Sequence, residues 1–451
     1  MPSVRRSAVA PLYLLACLIL GGSAQGIWQN MLLQLAGVAI ILWAVVAEVE
    51  QPMAPMAKPL LILVIAAILV VALQLVPLPA AIWAHGPRSR VAEGFALLGQ
   101  PVPSLPLSLT PYESLSTLLC LIPPLAIFCA IARLKAYQPS WLAIALLAGT
   151  VAGILLGALQ VSSPAADSPW YLYSETNLGL AVGFFANANH MANLLVLCLP
   201  FVGALAAYRS GTAQRRSALL TILAAVTLLL IVGIALNGSL AGYTLAVPVA
   251  AASALIVLRK GTPLRKLIAI LGALSIVAAI AALGSSSIGG TRIGQDANTS
   301  VQSREQILGI TAQAIGDYMP FGSGLGSFVR VYRTYESPDT VSSEYVIHAH
   351  NDYAEVALEL GFPGITLMLL FLAWWAAAVV AVWRTGSGGA FARAATIASA
   401  AVLVHSLVDF PLRTGAISAC FAMCLALMVE PRAAAQQAAG DLRPTRHVVI
   451  G

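Results

Sequence analysis

Long apolar runs separated by short polar stretches dominate this chain. Twelve of them, at about 8–25, 27–47, 59–79, 113–132, 141–162, 186–208, 217–236, 240–258, 267–284, 361–383, 392–409 and 413–430, are each near the ~20 residues that a helix needs to cross a bilayer. The runs are continuous rather than alternating, which predicts helices and argues against a transmembrane barrel. Three longer polar segments interrupt them, at 80–112, 163–185 and 285–360. The first is proline-rich and predicts irregular backbone. In the third, Ser303-Arg304-Glu305 opens a stretch of helical periodicity with a serine cap, and Pro320 stops it. The expected fold is therefore an all-α polytopic membrane protein of about twelve transmembrane helices. A single transmembrane domain covers 1–430, with the largest loop before the tenth span. The tail 431–451 is rich in Ala, Gln and Arg and predicts disorder.

Composition agrees with this pattern. Hydrophobic residues make up 59% and charged residues 9%, against about 25% charged in a soluble protein, and the mean hydropathy is +0.87. The net charge of +6 is a topology signal in such a chain and no argument for nucleic acid. Arg5-Arg6 ahead of the first apolar run reads as a signal-anchor rather than a cleaved leader, because more spans follow. All six cysteines fall inside apolar runs, so no disulfide framework and no CxxC metal knuckle is expected.

Charge sets the expected sidedness. With the N-terminus inside, 17 of the 24 Lys and Arg residues fall on the cytoplasmic side and 7 outside, as the positive-inside rule requires. All four lysines are inside, and the external cations Arg88, Arg90, Arg292, Arg304, Arg330, Arg333 and Arg413 are all arginines. Arginine forks bind phosphate and carboxylate bidentately. An arginine-rich composition explains the same bias by chance equally well.

Candidate chemistry concentrates in the stretch from His348 to Gly364. Two imidazoles, an amide and three carboxylates precede a span, and titratable groups at a bilayer edge are expensive enough to mark a site. Helical spacing over 348–360 puts His348, Asp352, Glu355 and Glu359 on one face, with His350 off that stripe. Pro363, between Gly361 and Gly364, redirects the helix at the membrane. A histidine here could take a proton from an attacking hydroxyl near neutral pH; the plainer reading is an interfacial helix with a solvated acidic face. His348-x-His350 lacks the spacing of a metal motif.

Three further segments carry polar groups. Asn187, Asn189, His190 and Asn193 lie at the outer end of the sixth span and suit a hydroxyl-rich ligand or, equally, helix capping and interhelical bonding. His405 and Asp409 are one turn apart beside Pro411 and Arg413, which also reads as a local ion pair at a turn. Arg304 by itself is an ordinary solvent-facing arginine.

Together these segments resemble the O-antigen ligase/Wzy polymerase superfamily of bacterial membrane glycosyltransferases over about 180–425. The signature of its ligases is His, then Asn/Ser/Gln, nine residues and Gly-x-x-Gly. Here it reads His350-Asn351, residues 352–360 and Gly361-Phe362-Pro363-Gly364. The block Gly183–His190 matches the family's Asn-rich entry motif, and Ser303–Phe328 matches the stretch before the signature. One departure stands out: the family carries Ser-Arg near residue 239, and here the pair is Ser239-Leu240.

The resemblance implies a GT-C-like helical fold in the bacterial inner membrane. It implies transfer of a glycan from undecaprenyl diphosphate to an acceptor hydroxyl at the periplasmic face, without metal or other cofactor. The acceptor is lipid A-core in a ligase, a growing glycan in a polymerase, or a protein in an O-oligosaccharyltransferase. His350 takes the base position. Arg304 is the expected diphosphate clamp, with Arg330, Arg333 or Arg413 sharing that role. Asn187, Asn189, His190, Asn351, Asp352, Glu355 and Glu359 are the expected substrate-contacting and orienting residues. No DxD motif and no Walker A sequence occurs, which argues against a metal-bound nucleotide sugar and against ATP-driven export. A transporter or flippase for a polar lipid is the rival of another class, and it predicts polar groups at the bilayer midplane.

Overall fold

The computed structural model describes residues 4–430 except 24–26, 50–51, 166, 209–211, 259–260, 284–291, 339–344 and 385–388, with backbone alone at 276–283 and 292–302. The tail expected at 431–451 lies outside the described residues, as does part of the largest loop.

The chain is an all-α polytopic membrane protein. Among the described residues eight helices are long and apolar enough to cross a membrane: Trp28–Val46, Ala57–Gln74, Pro111–Ala132, Pro139–Ser162, Ala188–Ala207, Ala213–Asn237, Leu240–Val257 and Asp352–Arg384. Four other expected runs are also helical, at Val9–Leu20, Pro263–Leu283, Ala390–His405 and Gly415–Val429. The first and the last two are short because they are interior elements. In Gly415–Val429 almost every residue from Ala416 to Val429 is buried, as expected of a helix that is apolar on all sides.

The Ala188–Ala207 helix forms the other half of the core. It packs against Ala213–Asn237, Leu240–Val257 and Ala390–His405. By contrast, only 17% of the apolar window of Ala213–Asn237 is buried, against 78% in Ala188–Ala207. The first therefore presents Leu220, Leu228 and Leu236 outward, burying Leu223 and Leu230, and the second carries the core. Small residues bring the helices close: a Cβ on Gly242 would meet the Cβ of Ala192 at 2.8 Å.

The loops are more ordered than expected. The segment 80–112 contains helices at Ala80–Trp83 and Ser89–Leu97, and Leu78 and Leu105 form a β-bridge. Buried Arg88 organises it by donating to the carbonyls of Pro106 and Leu107. A single buried glutamine ties down the loop after Ser162. Gln160 donates to the carbonyls of Trp170 and Gly183 and accepts from the amides of Val182 and Gly183. The large-loop helix runs from Arg292 to Tyr318, so Ser303 is inside it rather than its cap, and it does stop before Pro320.

The ends of many helices meet at one face of the bundle. Gln74 reaches Phe321 and Glu359, Asn237 reaches Ala181 and Ala188, and the Asp352 amide donates to the Ser406 carbonyl. The polar segments singled out in the sequence all come to this face.

Candidate active site

The helix carrying the signature begins at Asp352, not at His348. Asn351 caps it, its Oδ1 accepting from the amides of Tyr353 and Ala354 at 3.0 Å each. Its Nδ2 donates to the Leu407 carbonyl at 3.0 Å, tying the helix start to the loop between Ala390–His405 and Gly415–Val429. His348 and His350 therefore sit in the turn before the helix. His350 adopts φ +49°, the left-handed region that non-glycine residues rarely enter and that clusters at functional sites.

The break in this helix is at Gly361, with φ 60° and ψ −148°, two residues before Pro363. A Cβ at Gly361 would come within 2.2 Å of the Pro320 carbonyl, so no other residue fits. The break leaves carbonyls of the preceding turn without helical donors. Ser323 N donates to Leu358 O, and Gly324 N and Gln74 Nε2 donate to Glu359 O, all at 2.9 Å. Pro363 then falls in the first turn of the second half, where its missing N–H costs nothing. Gly361 thus docks the loop 320–324 under the polar helix top.

Two carboxylate–imidazole pairs result. His350 Nδ1 is 3.3 Å from Asp409 Oδ1. Asp409 also accepts from the Phe410 amide at 2.9 Å, and its Oδ2 is 4.0 Å from His405 Nε2. His348 Nδ1 is 2.9 Å from Glu355 Oε1, whose other oxygen accepts from the Ala349 amide at 3.2 Å. The Phe410 ring is the common packing partner, with the rings of His348, His190 and His350 at 4.1, 5.0 and 5.1 Å.

Exposure separates the four imidazoles. The side chains of His350 and His348 remain 26% and 18% accessible, whereas His190 and His405 are closed off. Only the first two can meet a substrate as the site stands. The two histidines turn to different carboxylates and do not form a pair that would share a ligand.

Asp352, Glu355 and Glu359 do share a face, as their spacing predicts, and all three point at Arg413. Its Nη2 is 3.2 Å from Glu355 Oε1 and 3.2 Å from Glu359 Oε2, and its Nε is 3.7 Å from Asp352 Oδ1. Ser406 Oγ donates to Asp352 Oδ2 at 2.8 Å. Arg413 and Asp409 lie in the loop 406–414, outside both neighbouring helices. Burial works against the charge on Arg413, but Glu355, Glu359 and Asp352 more than offset it and hold the guanidinium above its ordinary value. Burial likewise works against the Asp409 carboxylate. The hydrogen bond from His350 and the fields of the imidazoles of His190, His350 and His405 outweigh it, so Asp409 stays below the usual carboxylate range.

The other expected residues are placed as follows. Asn187 caps Ala188–Ala207 by accepting from the Asn189 amide at 2.8 Å. Asn189 Oδ1 accepts from Ser239 Oγ at 2.7 Å, and Ser239 in turn caps Leu240–Val257. His190 is buried, and neither ring nitrogen has a hydrogen-bond partner among the described residues. Arg304 is half-buried and forms no ion pair among the described residues. Arg330 and Arg333 are exposed; Arg330 lines a shallow cavity with Leu109–Glu113, and Arg333 lies over the Tyr345 ring.

Sequence reasoning missed the Phe410 hub and the pairing of Asp409 with His350 across 59 residues. It linked Asp409 to His405, the nearer imidazole in sequence.

No curated protein matches the chain. A family model described as O-Antigen ligase matches residues 224–369, about a third of the chain. That segment contains Ser239, Arg304, both accessible imidazoles and the docked helix break, and over it the chain is similar to the O-antigen ligase family.

Proposed function

We propose that this chain is an O-antigen ligase-type glycosyltransferase of the bacterial inner membrane. It moves a glycan from undecaprenyl diphosphate to a hydroxyl of lipid A-core, at the periplasmic face. The observation that carries this reading is the His350–Asp409 pair. Asp409 engages Nδ1, which fixes the ring and leaves Nε2 for the acceptor, the arrangement that makes a histidine an oriented base.

In this reading Nε2 of His350 takes the acceptor's hydroxyl proton as its oxygen bonds to C1 of the donor sugar. The bond from C1 to the phosphate oxygen breaks, and its electron pair leaves with undecaprenyl diphosphate. Asp409 stabilises the imidazolium so formed. Arg304 makes no ion pair among the described residues and is assigned the role of stabilising the charge that develops on the leaving diphosphate. It takes the part that the family gives to the arginine beside Ser239, here Leu240. Arg413 is held by three carboxylates and serves to fix the site rather than to bind phosphate. The donor brings its own activated leaving group, so the reaction asks for no metal.

Polymerisation and protein O-glycosylation use the same chemistry on other acceptors. Against a transporter stands the position of the polar clusters, which gather at the helix ends of one face rather than midway along the spans. The test is transfer by the purified full-length protein from an undecaprenyl-diphosphate-linked glycan to lipid A-core, to a second donor glycan, and to a serine-containing protein. Glycosylated lipid A-core is the expected product. Glycan extension or protein glycosylation alone would reassign the acceptor, and movement of the lipid across vesicles without bond formation would overturn the reading.

A further inference from the structure

We infer that His348 is a second substrate-touching residue of this site, one that binds a neighbouring hydroxyl of the acceptor and so selects a sugar over a lone serine hydroxyl. The inference rests on the functional reading above. Its first ground is wiring. His348 is held like His350: its Nδ1 meets a buried carboxylate, at 2.9 Å, and its Nε2 makes no hydrogen bond among the described residues. Glu355 is not free to move, because the Ala349 amide and Arg413 Nη2 both hold it at 3.2 Å.

Its second ground is position. The His348 and His350 rings pack on the same phenyl ring, with centroids 4.1 and 5.1 Å from that of Phe410. They are also the two imidazoles of the cluster that stay accessible. A sugar hydroxyl presented to His350 therefore brings the rest of its ring beside His348.

Its third ground is the difference in charge behind the two rings. Glu355 shares its negative charge with the guanidinium of Arg413. Asp409 has no lysine or arginine in ion-pair range among the described residues and meets imidazoles and the Phe410 amide. The carboxylate behind His348 is already engaged by a guanidinium, and the one behind His350 is not. The wiring thus separates two roles. His350 takes the proton of the reaction, and Nε2 of His348 is left to hydrogen-bond an adjacent hydroxyl. A serine side chain offers one hydroxyl and leaves His348 unused; a sugar offers several.

The test is a steady-state comparison of wild type, His348→Ala, His348→Gln and His350→Ala, each as full-length protein in detergent, with undecaprenyl-diphosphate-linked glycan as donor and lipid A-core as varied acceptor. His348→Ala is expected to raise the acceptor KM about five- to tenfold, the usual loss for one neutral hydrogen bond, with kcat changed by less than about threefold. His348→Gln, whose amide oxygen can still accept, is expected to recover part of that KM. His350→Ala is expected to lose kcat instead. Should His348→Ala not fold, His348→Asn, too short to reach the same hydroxyl, is expected to show the same KM rise. An unchanged KM in a folded variant, or a fall in kcat that Gln does not restore, overturns the role of His348 and leaves the functional reading standing. Absence of transfer by wild type to any acceptor removes that reading, and the role of His348 with it.

Discussion

The two ends of the helix bundle use the same charged residue types in opposite ways. At the end away from the signature, most of the placed cations close helix C-termini, and Lys135 pairs with Glu430. Arg6 donates to Leu134 O at 2.8 and 3.1 Å, Arg133 to Ala47 O at 3.3 Å and Arg265 to Leu258 O at 2.9 Å, where the helix dipole favours positive charge. Arg393 lies over the Trp383 ring. At the signature end, charged groups face each other across elements. Arg413 binds three carboxylates from another helix, and Asp409 lies between His350 and His405. The first arrangement satisfies backbone and asks nothing of position beyond one helix end. The second buries charges at a cost that only mutual placement offsets, and it fixes where two accessible imidazoles stand.

That contrast makes ordered predictions. The largest effect away from His350 itself is expected for Asp409→Asn. It keeps the shape and removes the charge behind the base, and transfer should fall about 10²- to 10⁴-fold, read as kcat in purified protein. Arg304→Ala should lower transfer about 10²- to 10³-fold, and Arg304→Lys should recover only part, because a point charge replaces a fork. Full activity in both would remove Arg304 from the site. Arg413→Gln leaves three buried carboxylates without their cation and should destabilise the protein by about 3–5 kcal/mol, seen as a lower melting temperature. Gly361→Ala should cost about 1–3 kcal/mol by forcing a Cβ into the Pro320 carbonyl. The smallest effect belongs to the other end: Arg265→Ala should cost at most about 1 kcal/mol and leave transfer within about threefold. A loss of transfer there as large as at Asp409 would erase the distinction between the two ends.

How much of this was legible in the sequence depends on distance along the chain. The apolar runs set the helices, because length and composition alone decide what can cross a bilayer. The shared face of Asp352, Glu355 and Glu359 followed from helical spacing, and their convergence on Arg413 did not, since nothing local links residue 413 to 352–359. The helix start was placed too early, at 348, because periodicity was read without the cap: Asn351 accepts from the amides of Tyr353 and Ala354 and ends the loop there. Pro363 drew attention as the breaker, whereas the backbone turns at Gly361, where the loop 320–324 packs too closely for any Cβ. Asp409 illustrates the limit. Its sequence neighbour His405 lies 4.0 Å away, while His350, 59 positions earlier, is 3.3 Å away. Phe410 carried no signal at all, since an aromatic residue beside a turn proline is ordinary in a membrane chain.

The most direct test of the account is the transfer rate of purified His350→Ala with an undecaprenyl-diphosphate-linked glycan and lipid A-core, alongside a melting curve. The account predicts a loss of about 10²- to 10⁴-fold in kcat with a melting temperature near that of wild type. A folded His350→Ala protein that transfers glycan at the wild-type rate would contradict it.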